Sequence, residues 1–344
     1  MRRSGVRSSL PAPLTGTHDG EPGLPGRFPF FRRFGNLVVK QFVGLRTPLR
    51  IAAAASIVWV LGGAMFLSSP AFDAPVAAQE TAATDGVAEP TAPLYPLAVA
   101  IGPDKARYVV DRNLPGVWKI VDGQASILVR GSKINREPLN APRSIAVSSD
   151  GRVFVGDSGG CNVFEVSADA PPRPISSERI GIPMGLAFDS QGNLFVADIE
   201  LHRILKLVPG SEPVEPTEVA AIRAPRALAC DKEDRVWVVS GYENPVRRIE
   251  ANGQVTTIVS SDVLQYPAGI AIDAVGSIWV SDSYAKTIYR IGEDGTTTPL
   301  PSSETLVYPV GIAADGTGIV VADPRGPALR QVDGAGAVTT EFPR

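Results

Sequence analysis

The sequence predicts an all-β fold: a six-bladed β-propeller with four-stranded blades, preceded by a single N-terminal hydrophobic helix and a disordered linker. Three observations predict the propeller. A seven-residue phrase recurs as GRVFVGD at 151–157, GNLFVAD at 192–198 and GSIWVSD at 276–282. A proline opens each of six copies, at Pro96, Pro142, Pro183, Pro225, Pro267 and Pro309, with gaps of 46, 41, 42, 42 and 42 residues. Within each copy the apolar runs are four to five residues long, which suits strands and is too short for helices. Four strands in about 42 residues is the period of a propeller blade.

The chain has 344 residues, 44% of them hydrophobic and 20% charged, enough for one large β domain with a true core. Residues 1–50 carry nine Lys/Arg against two Asp/Glu, so the remainder of a chain of net charge −3 sums to −10. A basic head on an acidic body points to membrane topology, and the body lacks the basic stripe that nucleic acid needs.

Residues 51–69, IAAAASIVWVLGGAMFLSS, hold no charge. A spanning helix needs about 20 apolar residues, with a lower range near 17. Arg46 and Arg50 flank this stretch on one side, and no Lys or Arg follows until Lys105. The positive-inside bias then places 1–50 in the cytoplasm and the body outside. A cleaved signal peptide fits as well, with Val76 and Ala78 at −3 and −1 and a mature chain starting at Gln79. Under either reading the body is exported: membrane-anchored through 51–69, or secreted or periplasmic. Residues 70–94 are rich in Ala, Pro and Thr, show no period, and read as a spacer without a core of its own.

The repeated unit fills 95–344. In the inner strand, the third and fifth residues after the proline are mostly large (Val99/Ile101, Ile145/Val147, Leu186/Phe188), while the second and fourth are small (Ala98/Ala100, Ser144/Ala146, Gly185/Ala187). Alternation sends these sets to opposite faces, and sheets converging on an axis need one slim face. The first turn carries Gly151, Gly192, Gly276 and Gly318, whereas Lys105 and Asp234 in copies one and four predict turns of another kind. The second strand holds an aromatic residue at Tyr108, Phe154, Phe195, Trp237 and Trp279, replaced by Val320 in the last copy, and these are expected in the core between blades. It closes on Asp111, Asp157, Asp198, Ser240, Asp282 and Asp323, 15 residues after the proline in five copies and 14 in the last. The outer strand of the last copy is AVTTEF, 337–342, which leaves ring closure to side-chain packing unless 79–94 holds a further strand.

With these residues in place, PMGLAFDSQGNLFVADIELHRILKL (183–207) and PAGIAIDAVGSIWVSDSYAKTIYRI (267–291) resemble NHL repeats in spacing, glycine, aspartate and the closing apolar-x-basic-apolar strand. The resemblance covers roughly 95–344 and implies a six-bladed ring. It does not imply one function, because such propellers serve as binding modules, lactonases and lyases, and a fold by itself licenses no activity.

The residues narrow the chemistry. The two histidines, His18 and His202, cannot build an imidazole zinc site within the propeller. Cys161 and Cys230 fall two blades apart at opposite ends of the ring, too far for a disulfide, which needs Cα atoms within about 7 Å. The aspartates Asp111, Asp157, Asp198, Asp282 and Asp323 recur too regularly for a metal ring and read as turn-formers. The residues after the prolines, expected at the channel mouth, are Leu97, Arg143, Met184, Arg226, Ala268 and Val310. They include none of the carboxylate and amide ligands that a resemblance to metal-dependent lactonases would require. No metal and no cofactor is therefore expected.

Positions that differ between blades mark function. Arg143 and Arg226 stand in two APR triplets, suited either to pairing with a loop carboxylate of the chain or to holding the carboxylate or phosphate of a ligand. Tyr242, Glu243, Asn244 and Tyr284 belong to variable loops at the same end. The leading expectation is an exported, membrane-tethered binding or scaffold module with a protein, peptide or glycan on this loop face. The alternative is a hydrolase or lyase of the gluconolactonase-like propeller type acting at the channel mouth.

Overall fold

A computed structural model of the chain describes residues 90–343, apart from 261, 301–305, 317 and 327. The head, the hydrophobic stretch 51–69 and all but the last five residues of the spacer lie outside the described residues. No helix among the described residues is long and apolar enough to cross a membrane.

Six antiparallel four-stranded sheets follow one another. Blade one is β1 (Pro96–Ile101), β2 (Arg107–Asp111), β3 (Gly116–Val121) and β4 (Gln124–Val129). Blade two is β5 (Pro142–Val147), β6 (Val153–Asp157), β7 (Asn162–Val166) and the two-residue β8 (Arg173–Pro174). Blade three is β9 (Pro183–Phe188), β10 (Leu194–Asp198), β11 (Arg203–Leu207) and β12 (Thr217–Ala221). Blade four is β13 (Pro225–Cys230), β14 (Val236–Ser240), β15 (Val246–Ile249) and β16 (Val255–Val259). Blade five is β17 (Pro267–Ile272), β18 (Ile278–Asp282), β19 (Thr287–Ile291) and β20 (Thr297–Pro299). Blade six is β21 (Ile312–Asp315), β22 (Gly318–Asp323), β23 (Ala328–Val332) and β24 (Val338–Phe342). In five blades the proline opens the inner strand, whereas in blade six that strand starts three residues later, at Ile312.

The core lies in the seams between blades, and the aromatic position of the second strand reaches into each one. Tyr108 shares a cluster with Ile145 and Val153, Phe154 with Leu186 and Leu194, and Phe195 with Leu228 and Val236. Trp237 shares one with Ile270 and Ile278, and Trp279 with Ile312 and Ile319. Val320 closes the ring against Val99 and Val109 of blade one. Among the described residues no strand is exchanged at this closure. Arg107 of β2 adds two ion pairs across it, to Asp315 at 2.7 Å and Glu341 at 2.6 Å. The small residues of the inner strands set how near the blades come. A Cβ on Gly185 would stand 2.7 Å from the Ala227 Cα, and one on Gly311 would stand 2.6 Å from the Ala98 Cα.

Two expectations about the first turns are corrected. In blade six the left-handed residue is Gly316 (φ 64°), not Gly318, which is already in β22. Lys105 and Asp234 do not make a different turn, since their φ values of 64° and 59° share the left-handed region with Gly151, Gly192 and Gly276. The same backbone bond closes the turn with or without glycine: the residue's N–H donates to the carbonyl three residues back, Lys105 to Gly102, Asp234 to Asp231 and Gly276 to Asp273. The turn is held by this bond and by a preceding aspartate that takes other backbone N–H groups, so a side chain at positive φ is tolerated.

Candidate functional site: the axial cavity at the proline end

Blades one to five each pair the opening proline with the residue that closes the second strand, as in Pro142 with Asp157 and Pro267 with Asp282. That pairing brings the residues after the prolines and those after the aspartates to one end of the ring. The aspartates of this end are buried, none more than 1% exposed. Each carboxylate binds backbone. Asp282 accepts N–H bonds from Gln265 (2.6 Å), Tyr266 (3.0 Å), Tyr284 (3.0 Å) and Ala285 (2.9 Å). Asp111 takes those of Leu94, Tyr95 and Asn113, and Asp157 those of Asn140, Ala141, Gly159 and Gly160. Asp198 and Asp323 follow the same pattern, through Gly181 and Ile182, and through Val307 and Tyr308. These carboxylates tie the entry to one strand to the exit of the next and face the backbone, not the axis.

Blade four has Ser240 in that place. The Arg247 guanidinium enters instead, donating to the Ser240 Oγ (3.0 Å) and the Glu243 carbonyl (2.7 Å). Burial pushes its pKa below the ordinary arginine value, with Glu243 opposing.

An axial cavity of about 370 Å³ opens at this end. All six residues that follow the prolines line it: Leu97, Arg143, Met184, Arg226, Ala268 and Val310. Its deeper wall is apolar, with Val99, Ile145, Leu186, Leu228, Ile270 and Ile312. Ser144, the one hydroxyl side chain of that wall, gives its Oγ to the Pro183 carbonyl at 2.7 Å. The rim holds Arg112, Arg143 and Arg226 with Tyr95, Tyr266 and Tyr308, and no carboxylate, imidazole or thiol lines the cavity among the described residues.

The arginines differ in setting. Arg226 is half-buried, its Cζ 3.5 Å from the Tyr266 ring centroid and its Nη1 donating to the Pro267 carbonyl at 3.0 Å. Gly241 lies against it, for a Cβ at 241 would collide with Cζ, Nη2 and Nε. Burial pushes its pKa below the ordinary arginine value, with Tyr266, Tyr308 and Asp282 opposing. Arg143 is exposed, with only a long 3.5 Å approach of Nε to the Ser158 Oγ. Arg112 sits over Tyr95 at 5.5 Å. None of the three forms an ion pair among the described residues.

The loop residues named from sequence stand at the same end but do not line the cavity. Tyr242, 45% exposed, is stacked by Arg223 at 3.7 Å, and Tyr284 is 73% exposed. Glu243 serves Arg247 through its carbonyl, and Asn244 is a left-handed turn residue with φ 57°. Sequence reasoning missed the rim tyrosines and Arg112. Their signal was a tyrosine directly before the proline in three copies, Tyr95-Pro96, Tyr266-Pro267 and Tyr308-Pro309. His202 takes a turn role, with φ 58° and its Nδ1 accepting the Ala224 N–H at 3.3 Å. Cys161 and Cys230 are free thiols, and burial pushes the Cys230 thiol far up. No group of three or more His, Cys, Asp or Glu able to hold a metal occurs among the described residues.

No protein-family model matches the chain, and no curated protein matches it. Solved structures do match in fold. Against a catalytically inactive virginiamycin B lyase from Staphylococcus aureus with quinupristin, the chain is 14% identical with a TM-score of 0.57, over 72% of this chain and 83% of that one. Against a chain of a nidogen/laminin complex it is 18% identical with a TM-score of 0.55, over 70% and 89%. A structural-genomics protein of unknown function from Bacteroides thetaiotaomicron gives 17% identity and a TM-score of 0.57, over 73% and 71%. At these identities the likeness is one of fold: a six-bladed, all-β propeller, shared by a lyase and by a protein of a binding complex.

Proposed function

We propose that the chain is an exported binding module, tethered through 51–69 or released by cleavage near Gln79, that receives a protein, peptide or glycan ligand at the proline end. One observation carries this reading: a cavity whose rim sets three arginines, none ion-paired among the described residues, beside three tyrosines. Arg and Tyr are frequent anchors because they join a large contact area to directed donors. Stacked guanidinium groups are also held in place before a ligand arrives, which lowers the ordering cost of binding. A hydrolase or lyase would need a general acid or base within reach of its substrate. The described lining offers guanidinium and phenol groups, which suit recognition of charge better than proton transfer near neutral pH.

The test is capture of acidic peptides and acidic oligosaccharides from an array by the purified full-length protein. Capture is expected to fall at least about tenfold for the pair Tyr242→Ala and Tyr284→Ala or the pair Arg143→Ala and Arg226→Ala, and to stay unchanged for Arg235→Ala at the opposite end. Capture that ignores both proline-end pairs contradicts the reading. Reporter fusions after residue 95 should be active only outside the cytoplasm, and cytoplasmic activity contradicts export.

A further inference from the structure

We infer that the axial cavity takes a carboxylate carried on an apolar body, the carboxylate on the rim guanidinium of Arg226 and the body in the apolar shaft. The inference rests on the proline end being a binding face and assigns that face its ligand class. It starts from a mismatch between rim and wall. The wall is made of Val99, Ile145, Leu186, Leu228, Ile270 and Ile312, and its only hydroxyl side chain, Ser144, already bonds the Pro183 carbonyl. A sugar entering this shaft would leave its hydroxyls without partners, which is costly in a dry site. An aliphatic or aryl group would not.

The rim has the opposite character. Arg226 spends Nη1 on the Pro267 carbonyl, while Nε and Nη2 meet no acceptor among the described residues. Those two nitrogens form the side edge of the guanidinium, whose parallel N–H bonds match the two oxygens of a carboxylate. Tyr266 stacks on Cζ at 3.5 Å and Gly241 leaves just enough room, so the edge is fixed in place. Arg143 and Arg112 stand on the same rim and form no ion pair among the described residues, adding positive charge beside Arg226. A cavity of about 370 Å³ falls within the range of small-ligand sites. The chemistry suits a free organic acid and equally the C-terminal residue of a peptide with an apolar side chain.

Isothermal titration of the full-length protein separates these sources and tests the inference. The probes are 3-phenylpropionate and its amide, N-acetyl-Ala-Phe as acid and as amide, and inorganic phosphate. At least one acid should bind at least about tenfold more tightly than its amide, the ratio expected of one well-made charged contact. Binding of both acids assigns the site to free acids, and binding of the peptide acid alone assigns it to a chain end. Arg226→Gln should remove the preference for acid over amide, Arg226→Lys should not restore it because the fork is lost, and Gly241→Ala should weaken it by displacing the guanidinium. Melting temperatures should stay within a few degrees of the parent. Equal binding of acid and amide, phosphate competing as strongly as the acids, or no saturable binding of either acid overturns the inference. If the acids fail while array capture still depends on the proline-end residues, only the ligand class falls. If capture ignores those residues as well, the binding-face reading falls with it.

Discussion

At the scale of single residues, the repeated aspartates are a case of charge placed for geometry. Asp282 is fully buried, and its oxygens take four backbone N–H groups from two separate loops. Replacing it with alanine leaves those donors without partners, at about 1–3 kcal/mol for each that water does not reach. Asp282→Ala should therefore lower unfolding stability by about 3 kcal/mol or more, measured by urea denaturation; a loss under about 1 kcal/mol would contradict this role. The recurrence of these aspartates was legible in the sequence because every blade repeats them. The rim tyrosines were not. They stand one residue before the prolines that define the repeat, and in three blades that position holds Ala141, Ile182 and Ala224 instead. Stacking of Arg226 on Tyr266 joins residues 40 apart, which no local pattern marks.

At the scale of elements, each blade is a hairpin pair whose turn chemistry and seam packing act together. Trp279 fills the seam between blades five and six and donates its indole N–H to Asp273 at 3.0 Å. Trp279→Ala should cost about 3–5 kcal/mol, the range for large buried aromatics; a near-neutral effect on the urea midpoint would show that the seam is not core. Burial pushes the Asp273 carboxyl up, but bonds from Ser277, Trp279 and Val275 outweigh it and hold its pKa below the usual value. Asp231 in blade four is likewise raised by burial and brought lower on balance by Trp237 and Arg235. A carboxyl depressed in the folded state stabilises above its unfolded pKa, about 3.9, and loses that contribution as pH falls through the folded value. Stability should therefore hold from neutral pH down to about 4 and decline below it, as followed by thermal melting across pH. A flat profile there would contradict these bonds. The turns also mark a limit of sequence reading. Glycine identity alone suggested that Lys105 and Asp234 make different turns, whereas the hydrogen-bonding frame imposes one conformation on both.

At the scale of the whole molecule, the propeller has two unlike ends. Five of the seven tyrosines, Tyr95, Tyr242, Tyr266, Tyr284 and Tyr308, stand at the proline end, and only Tyr108 and Tyr289 belong to the seams. The opposite end carries an aspartate in each inner hairpin turn: Asp104, Asp150, Asp189, Asp231, Asp273 and Asp315. Four of these six are ion-paired, Asp104 with Lys119, Asp150 with Arg152, Asp231 with Arg235 and Asp315 with Arg107, whereas the rim arginines of the proline end form no ion pair among the described residues. The sum of −10 beyond residue 50 announced an acidic body but not this division, because sequence charge has no direction until the strands fix which turn faces which way.

The central claim is that the proline end, through its arginines, is the working face. Its most direct test is the affinity of the full-length protein for 3-phenylpropionate or N-acetyl-Ala-Phe, whichever the unmodified protein binds. The pair Arg143→Ala and Arg226→Ala is compared with the opposite-end pair Lys105→Ala and Arg235→Ala. The proline-end pair should lose about 1.5–3 kcal/mol of binding, tenfold or more, with its melting temperature nearly unchanged, while the opposite-end pair keeps the parent affinity. Equal affinity in the proline-end pair, or a loss confined to the opposite-end pair, would contradict the account.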